Sequence, residues 1–463
     1  MGKIQVKFDN QLVQSEITMQ LRSSSEDEMG DAYENNYTEV LQTAVYGVQV
    51  PLIAINGIVI TFQDIISFNL ESTGVLPTVS LKVKDRYNLI STFNTPGIDN
   101  ELRVQIIPQF EDIYKKINLT FFITNINISG EYITLFAEYK LPDFVASRLK
   151  SFGEINTYTL FESIAQETKL GFATNIEAND TDKRYIYCAY QSYEDLLANE
   201  INHSGSDLQI LDYWIDLWNN LVLADIYDRY TTIESDDDMK IWISSQKNEI
   251  TEGVPIDAIE VIANITNHPD SRNQELYVKS YKQTNNPGES SLEGTDRLYS
   301  IYEADKKEYL DYMIQDGDVK NDIYTKYQYL GEMYGTHNYL LTIKKRQDFL
   351  QKIKSNESIE VMLDYPILGL MRGDKVNFIW YIMDDMAKYM MEGIVENGMG
   401  IKPESNIPLP EDIENSDGSY IVDRTISAQY LITGYKIKYT SNGWKFILNL
   451  NRSNEQKQKI INE

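Results

Sequence analysis

The sequence predicts an α+β protein that is mainly β: two antiparallel β-barrel domains, a mixed α/β middle domain between them, and an N-terminal arm. Three observations predict it. Apolar residues alternate with polar ones from about 50 to 139 and again from 359 to 452. Between these regions, residues 150–225 switch to helical spacing. Near the end, two long amphipathic stretches flank an Asn-Gly pair, a strong short-range hairpin signal.

Residues 1–47 form the arm, a short strand-like start followed by a polar run of serine and acid at 23–28, the composition of a solvated extension. The first barrel spans 48–148. Residues 51–60 predict a hairpin turning at Asn56-Gly57. Val79, Leu81 and Val83 then alternate with polar partners, as do Leu102, Val104 and Ile106. Ile117, Leu119, Phe121 and Ile123 follow, then Ile126 and Ile128, a turn at Gly130, and Ile133, Leu135 and Ala137. Several short strands with turn signals between them indicate an antiparallel barrel or sandwich.

The mixed domain spans 149–270. Leu160, Phe161, Ile164 and Ala165 make one helical stripe, with Gly171 placed as its C′ glycine. Ser192 with Asp195 forms a capping box before Leu196, Leu197 and Ile201. After Asp207, the series Leu208, Leu211, Trp214, Ile215, Trp218, Leu221 and Val222 has the spacing of an apolar helix stripe, and such a stripe is more often core than ligand cage. Strand-like pieces return at 241–243 and 258–262. Residues 271–358 are linker and helical segments, with a flexible loop at 285–294 and charged helical sequence at 303–314 and 338–353. The second barrel spans 359–463 with an insertion near 385–420 that contains Pro403, Pro408 and Pro410.

The closing hairpin runs through 430–439, turns at Asn442-Gly443 and returns through 444–452. A type I′ turn needs positive φ at both central residues, which Asn-Gly supplies. That turn sets Tyr439 opposite Phe446, Ile437 opposite Leu448 and Tyr435 opposite Leu450, with Trp444 opening the return strand. Lys436, Lys438, Lys445 and Asn449 fall on the other face, as a half-buried sheet requires. Residues 123–128 and 432–437 each open such a hairpin, an internal echo that fits two copies of one barrel.

At 463 residues the length suggests about three domains. The formal net charge is −28, from 42 basic and 70 acidic residues. It argues against stable DNA binding, which needs Lys and Arg to neutralise phosphate, but not against DNA passing nearby. Tyr, at 33 residues, far exceeds Phe at 15, as suits half-exposed strands or subunit contacts. The single cysteine, Cys188, excludes an intrachain disulfide framework and a cysteine-built zinc site. No run approaches the roughly 20 apolar residues of a membrane span, and the first residues lack the apolar core of a signal peptide. A chain made and assembled in a reducing cytoplasm is expected.

The search for chemistry yields little. His203 lies among Ser204, Ser206 and Asp207, but triad members adjacent in sequence rarely meet in triad geometry. His268 and His337 fall in polar turns. Residues 316–327 begin like a calcium loop and fail, with Asn321 where glycine is needed and Tyr327 where glutamate is needed. Asp236, Asp237 and Asp238 suit a solvated loop, and Cys188 suits a small buried apolar residue. No phosphate-binding loop or dinucleotide fingerprint is present. The sequence therefore offers no catalytic residue, no cofactor site and no metal site, and an enzyme is not expected.

Three places resemble contractile-tail baseplate hub proteins of the T4 type: residues 51–60 with 66–70 and 79–85; residues 191–197 followed by 210–225; and the closing hairpin. The resemblance covers about 48–452 and rests on the order of these pieces. It implies two tube-type barrels joined by the middle domain, three subunits in a ring, and six barrels that mimic a sixfold tube. The implied partners are two further copies of the chain, a tail tube protein, a central spike protein and other baseplate proteins. DNA would cross the centre without specific binding, in a virion tail assembled in the host cytoplasm and without membrane insertion. The N-terminal arm, the insertion and the acidity depart from the family. Two rival classes stand beside this reading: a tail-associated glycan or peptidoglycan hydrolase, and another structural or receptor-binding tail component.

Overall fold

The computed structural model describes residues 4–12, 50–93, 99–107, 116–178, 182–201, 209–226, 241–244, 261–265, 274–283, 297–303, 308–314, 326–327, 357–363, 366–368, 370, 372–379, 381–383, 420–422 and 428–452. The arm contributes β1 (Gln5–Phe8). The first β region holds β2 (Leu52–Ile55), β3 (Ile58–Ile60), β4 (Ile65–Ser72), β5 (Thr78–Lys84), β6 (Glu101–Ile106), β7 (Ile117–Ser129) and β8 (Tyr132–Tyr139). Two short helices, α1 (Leu89–Phe93) and α2 (Pro142–Val145), punctuate it. Next come β9 (Arg148–Ile155), helix α3 (Thr157–Glu167), β10 (Gly171–Thr174), β11 (Arg184–Gln191), helix α4 (Tyr193–Glu200), β12 (Leu211–Ile215) and β13 (Asn220–Asp225). The further elements among the described residues are strands: β14 (Ile241–Ser244), β15 (Val261–Ile265), β16 (Gln274–Gln283), β17 (Arg297–Glu303), β18 (Glu308–Ile314), β19 (Lys326–Tyr327), β20 (Glu357–Leu363), β21 (Lys375–Ile379), β22 (Tyr381–Met383), β23 (Tyr420–Val422), β24 (Ala428–Thr440) and β25 (Gly443–Arg452).

The dominant sheet has 14 strands in the order β21-β14-β15-β16-β20-β25-β24-β4-β5-β8-β7-β6-β2-β3. A further pairing of β21 with β24 closes its first seven strands into a ring. Three strands of that ring, β14 to β16, come from residues 241–283. A four-stranded sheet, β1-β10-β13-β12, packs in the middle of the chain, with β10 and β13 parallel. Smaller sheets are β11-β9, β18-β17-β19 and β22-β23. The chain is thus mainly β, as the period-two patterning requires.

The alternating residues face one way. Val79, Leu81, Val83, Leu102, Val104, Ile106, Leu119, Phe121, Ile133 and Leu135 are buried in a core that also takes Leu160, Phe161 and Ile164 from α3 and Ile359, Val361, Ile437, Phe446 and Leu448 from the last strands. Each such side chain stabilises the fold by about 1.5–3 kcal/mol through lost apolar surface. At the first hairpin, Asn56 (φ 47°) and Gly57 (φ 83°) both adopt positive φ, and Ile55 pairs with Ile58, as the Asn-Gly pair predicts. The Asn156 side chain caps α3 by accepting from the Thr159 amide at 2.7 Å. Ser192 caps α4 by accepting from the Asp195 amide at 3.0 Å, as the capping box predicts.

Several elements differ from the expectation. Leu208 lies outside the described residues, and from Leu211 on the stripe is not a helix but the antiparallel pair β12–β13, with Trp214 opposite Val222. All of β13 is buried, and a fully buried strand has no alternation to distinguish it from a buried helix. Residues 308–314, expected to be helical, form β18 and pair with β17, with Tyr302 opposite Tyr309, because their tyrosines favour strand over the helix their charge pattern suggests. The end of α3 falls at Glu167, and the left-handed residue after it is Lys169 (φ 60°) instead of Gly171. Gly171 opens β10, where a Cβ would lie 2.0 Å from Asn220 Oδ1 and 3.0 Å from the Phe8 carbonyl oxygen. It is glycine so that β1 and β13 can close on β10. The stretches 285–294, 338–353 and most of 385–420 lie outside the described residues.

Gly434 marks the tightest approach in the large sheet. It follows a bulge at Thr433, and a Cβ there would lie 2.9 Å from Thr73 Cγ2 and 3.1 Å from the Ser72 carbonyl oxygen. Gly434→Ala is therefore expected to cost about 1–3 kcal/mol by overpacking, measured as a lower midpoint in denaturant unfolding. An unchanged midpoint would show that β4 can yield there.

Candidate functional site at the closing hairpin

The hairpin residues named from the sequence all lie on β24 and β25 or in the turn between them, but the turn is placed differently. Ser441 and Asn442 form it, Thr440 pairs with Gly443, and only Gly443 (φ 96°) has positive φ there. The Asn442 amide donates to Thr440 Oγ1 at 3.3 Å, so Asn442 serves the turn through its backbone and leaves positive φ to the glycine. Moving the turn one residue back shifts every partner by two. Tyr439 faces Trp444, Ile437 faces Phe446 and Tyr435 faces Leu448. A two-residue shift preserves the faces, whereas a one-residue shift would invert them. The apolar set therefore points inward as expected, although its pairs are different.

On that inner face, Trp444 is 8% exposed. It meets Tyr439 at 5.0 Å between ring centroids and Phe68 of β4 edge-on at 6.5 Å, while Tyr435 meets Phe446 at 5.7 Å. Such aromatic pairs add roughly 0.5–1.5 kcal/mol each beyond area burial. The outer face is basic and polar: Lys436 bonds Glu71 on β4 at 3.2 Å, and Lys438 lies between Asn69 and Lys445 in register.

The base of the hairpin meets three other segments. The Ile432 amide and carbonyl bond Asp374 and Gly373 at 2.9 and 2.8 Å. Next to them, Arg372 donates to Asp212 Oδ2 of β12 at 2.8 Å and to the Gly74 carbonyl at 2.9 Å. Its guanidinium lies 5.0 Å from the centre of the Trp214 ring. The Ile215 amide donates to the Val75 carbonyl at 2.8 Å, and the Tyr139 hydroxyl donates to Asn219 Oδ1. Asp216 is buried and accepts from the Trp218 and Asn220 amides and from Asn220 Nδ2 at 2.8–2.9 Å. Burial pushes its carboxyl up to about 6 against those hydrogen bonds. Burial likewise raises the Tyr435 hydroxyl, helped by the Asp216 charge and opposed by a hydrogen bond with Ser72.

Trp214, Ile215 and Tyr435 stand out in sequence only as apolar positions, and of the polar junction residues only Asp216 carries a local signal. An Asp followed by Trp218, Asn219 and Asn220 between two apolar runs is a turn signal, and it would have identified β12–β13 as a hairpin. Among the residues considered for chemistry, Cys188 is buried, with its thiol raised by burial and its Sγ 3.1 Å from the Gln191 carbonyl. His203, His268, His337, residues 236–238 and the 316–327 stretch lie outside the described residues. Among the described residues, no group of three or more His, Cys, Asp or Glu side chains is placed to hold a metal, and no helix is long and apolar enough to cross a membrane.

No family model matches this sequence, and neither does any curated protein. Among solved structures, the chain is similar to a tail protein from Neisseria meningitidis MC58, at 10% identity over 88% of this chain and 97% of that one, with a TM-score of 0.48. It is also similar to the 43 kDa tail protein of prophage MuSo2 from Shewanella oneidensis, at 9% identity, 89% and 99% coverage, and a TM-score of 0.48. Prophage tail protein gp18 from Listeria monocytogenes EGD-e matches at 10% identity, 90% and 100% coverage, and a TM-score of 0.41. At these scores the likenesses decide neither fold nor function.

Two measurements probe the junction. Arg372→Met is expected to cost about 3 kcal/mol, because it breaks the Arg372–Asp212 ion pair in a largely buried site; denaturant unfolding reads the loss. For Asp216, the folded pKa lies above the unfolded one. The stability it contributes is fully present below the unfolded value and is lost as pH rises through about 6. The swing is on the order of 2 kcal/mol. The stability difference between the protein and Asp216→Asn should change across pH 4 to 7 in that sense, and a flat difference would count against it.

Proposed function

We propose that this chain is a structural subunit of a contractile-tail baseplate hub, in which three copies form a ring between the tail tube and a central spike. The observation that carries the reading is the single sheet built from both ends of the chain. Seven of its strands close on themselves, and β24 pairs with β4 to continue the sheet into seven more. In this reading the two adjoining seven-strand units serve as tube-type barrels, and three chains would supply six, the number that matches a sixfold tube. Closed cyclic symmetry is the usual outcome for such a ring. The similar solved structures are named as tail proteins, an agreement to which their scores lend no weight.

In this reading the ring encloses a channel for duplex DNA and turns over no substrate. Three copies carry a formal charge of −84, three times −28. Screening over about 8 Å in physiological salt confines the resulting repulsion to near contact. Such a wall lets a phosphate polymer pass without adhering.

Symmetry-resolved imaging of the native particle is expected to show three copies per ring; six copies would refute the stoichiometry. The assembled ring should fail to bind duplex DNA tightly at low salt, and tight, salt-sensitive binding would refute the passive channel. Cell-wall glycan should survive incubation with the protein. Turnover abolished by replacing a single Asp or Glu would install the hydrolase reading instead.

A further inference from the structure

Strands β9 and β11, separated in the chain by α3 and β10, pair as a two-stranded antiparallel sheet whose buried residues lie on one face. Ile186 and Cys188 point inward toward α4, which packs on β11. The other face presents Tyr185 at 77% exposure, Tyr187 at 67%, Tyr190 at 79% and Leu149 at 66%. Register places these together: Tyr185 lies opposite Glu154, Tyr187 opposite Ser151, and Ala189 opposite Leu149. A bulge between Ala189 and Gln191 turns Tyr190 outward as well, and it holds positive φ (54°), a conformation that a bulky residue rarely adopts without a reason. Isolated exposed apolar residues are ordinary, but four gathered on one sheet face are not.

We infer that this tyrosine face is the surface through which one copy of the chain docks onto another. The inference rests on the ring reading above and names the contact that would build it. Two features select a second copy as the occupant. The first is charge. Any two copies repel through a net charge of −28 each, whereas among the described residues of β9 and β11 the only charged side chain exposed on this face is Glu154, near the end of β9. Copies can therefore approach there with least electrostatic cost. The second is area. Three tyrosines at roughly 150 Å² each, with Leu149 beside them, supply about 600 Å² of the roughly 800 Å² that each side of a stable interface covers. Tyrosine is also the residue type enriched in such contacts, since it packs as an aromatic and keeps a hydroxyl for the rim. In a ring the contact is heterologous, so the tyrosine face of one copy meets a different surface of the next.

The test uses the full chain in sedimentation velocity over a concentration series, with Tyr185→Glu and Tyr187→Glu variants, and Tyr187→Phe as the variant that keeps the ring. Circular dichroism checks that each remains folded. The protein is expected to self-associate, both Glu variants to weaken that association about tenfold or more, and Tyr187→Phe to retain it. A photo-reactive phenylalanine at position 187 should cross-link chain to chain. Association unchanged in both Glu variants would overturn the inference and leave the ring reading standing. Association through this face in pairs only would uphold the inference and refute the three-copy ring. A protein that stays monomeric throughout, or a cross-link formed only to some other protein, would overturn the inference, and particle imaging would then decide the ring separately.

Discussion

The six-residue ladder between β24 and β4, from Tyr435 opposite Ser72 to Thr440 opposite Ser67, is the contact on which the architecture depends. Among the described residues it is the only strand pairing that joins the closed seven-strand ring to the remaining seven strands. β24 can do this because it is 13 residues long and changes neighbours along its length. Its start pairs with β21, its end with β4, and most of it with β25. The bulge at Thr433 and the missing side chain at Gly434 are where it passes from one partner to the next. Its inward Ile437 and Tyr439, with Trp444 of β25, then pack around Phe68 and Leu70, so backbone pairing and core formation reinforce each other.

The base of that hairpin concentrates polar and charged side chains in buried positions. Arg372, Asp212, Asp216, Tyr435 and Ser72 come from distant segments and meet in partly or fully buried positions. Buried charge is a weak source of net stability, because desolvation consumes most of the Coulomb gain. Its structural effect is selective: an Arg that must reach Asp212, the Gly74 carbonyl and the Trp214 face together accepts few alternative arrangements of the three segments. Apolar packing alone would tolerate more.

Much of the fold was legible in the sequence, and the exceptions have physical causes. Strands with one wet face, such as β5 and β8, declared themselves through alternation, and the helix caps at Ser192 and the turn at Asn56-Gly57 through local chemistry. β13 did not, because burial on both sides erases the period. The closing hairpin was placed correctly in face but not in partner: Ser441 and Asn442 can form the turn when Gly443 takes the positive φ, and the Asn-Gly pair alone does not choose between the two. The junction was hidden for a different reason. Arg372 and Asp212 are 160 positions apart, and nothing local to either indicates the other. The tyrosines of β11 were visible as the neighbours of Cys188, but not as a surface, since exposure is a property of the folded chain.

The ladder between β4 and β24 also sets an order of events during synthesis. Ser72 and Tyr435 are 363 positions apart, so at roughly 5–20 residues per second β4 would wait about 20–70 seconds for its partner. During that interval its edge amides and carbonyls face water, the state in which strands recruit the wrong neighbour. Glu71, later paired with Lys436, is then an uncompensated charge on that edge, and such charges discourage edge-to-edge association. The same residue that ties the two ends of the nascent chain together when folding ends thereby guards the unfinished sheet while it waits.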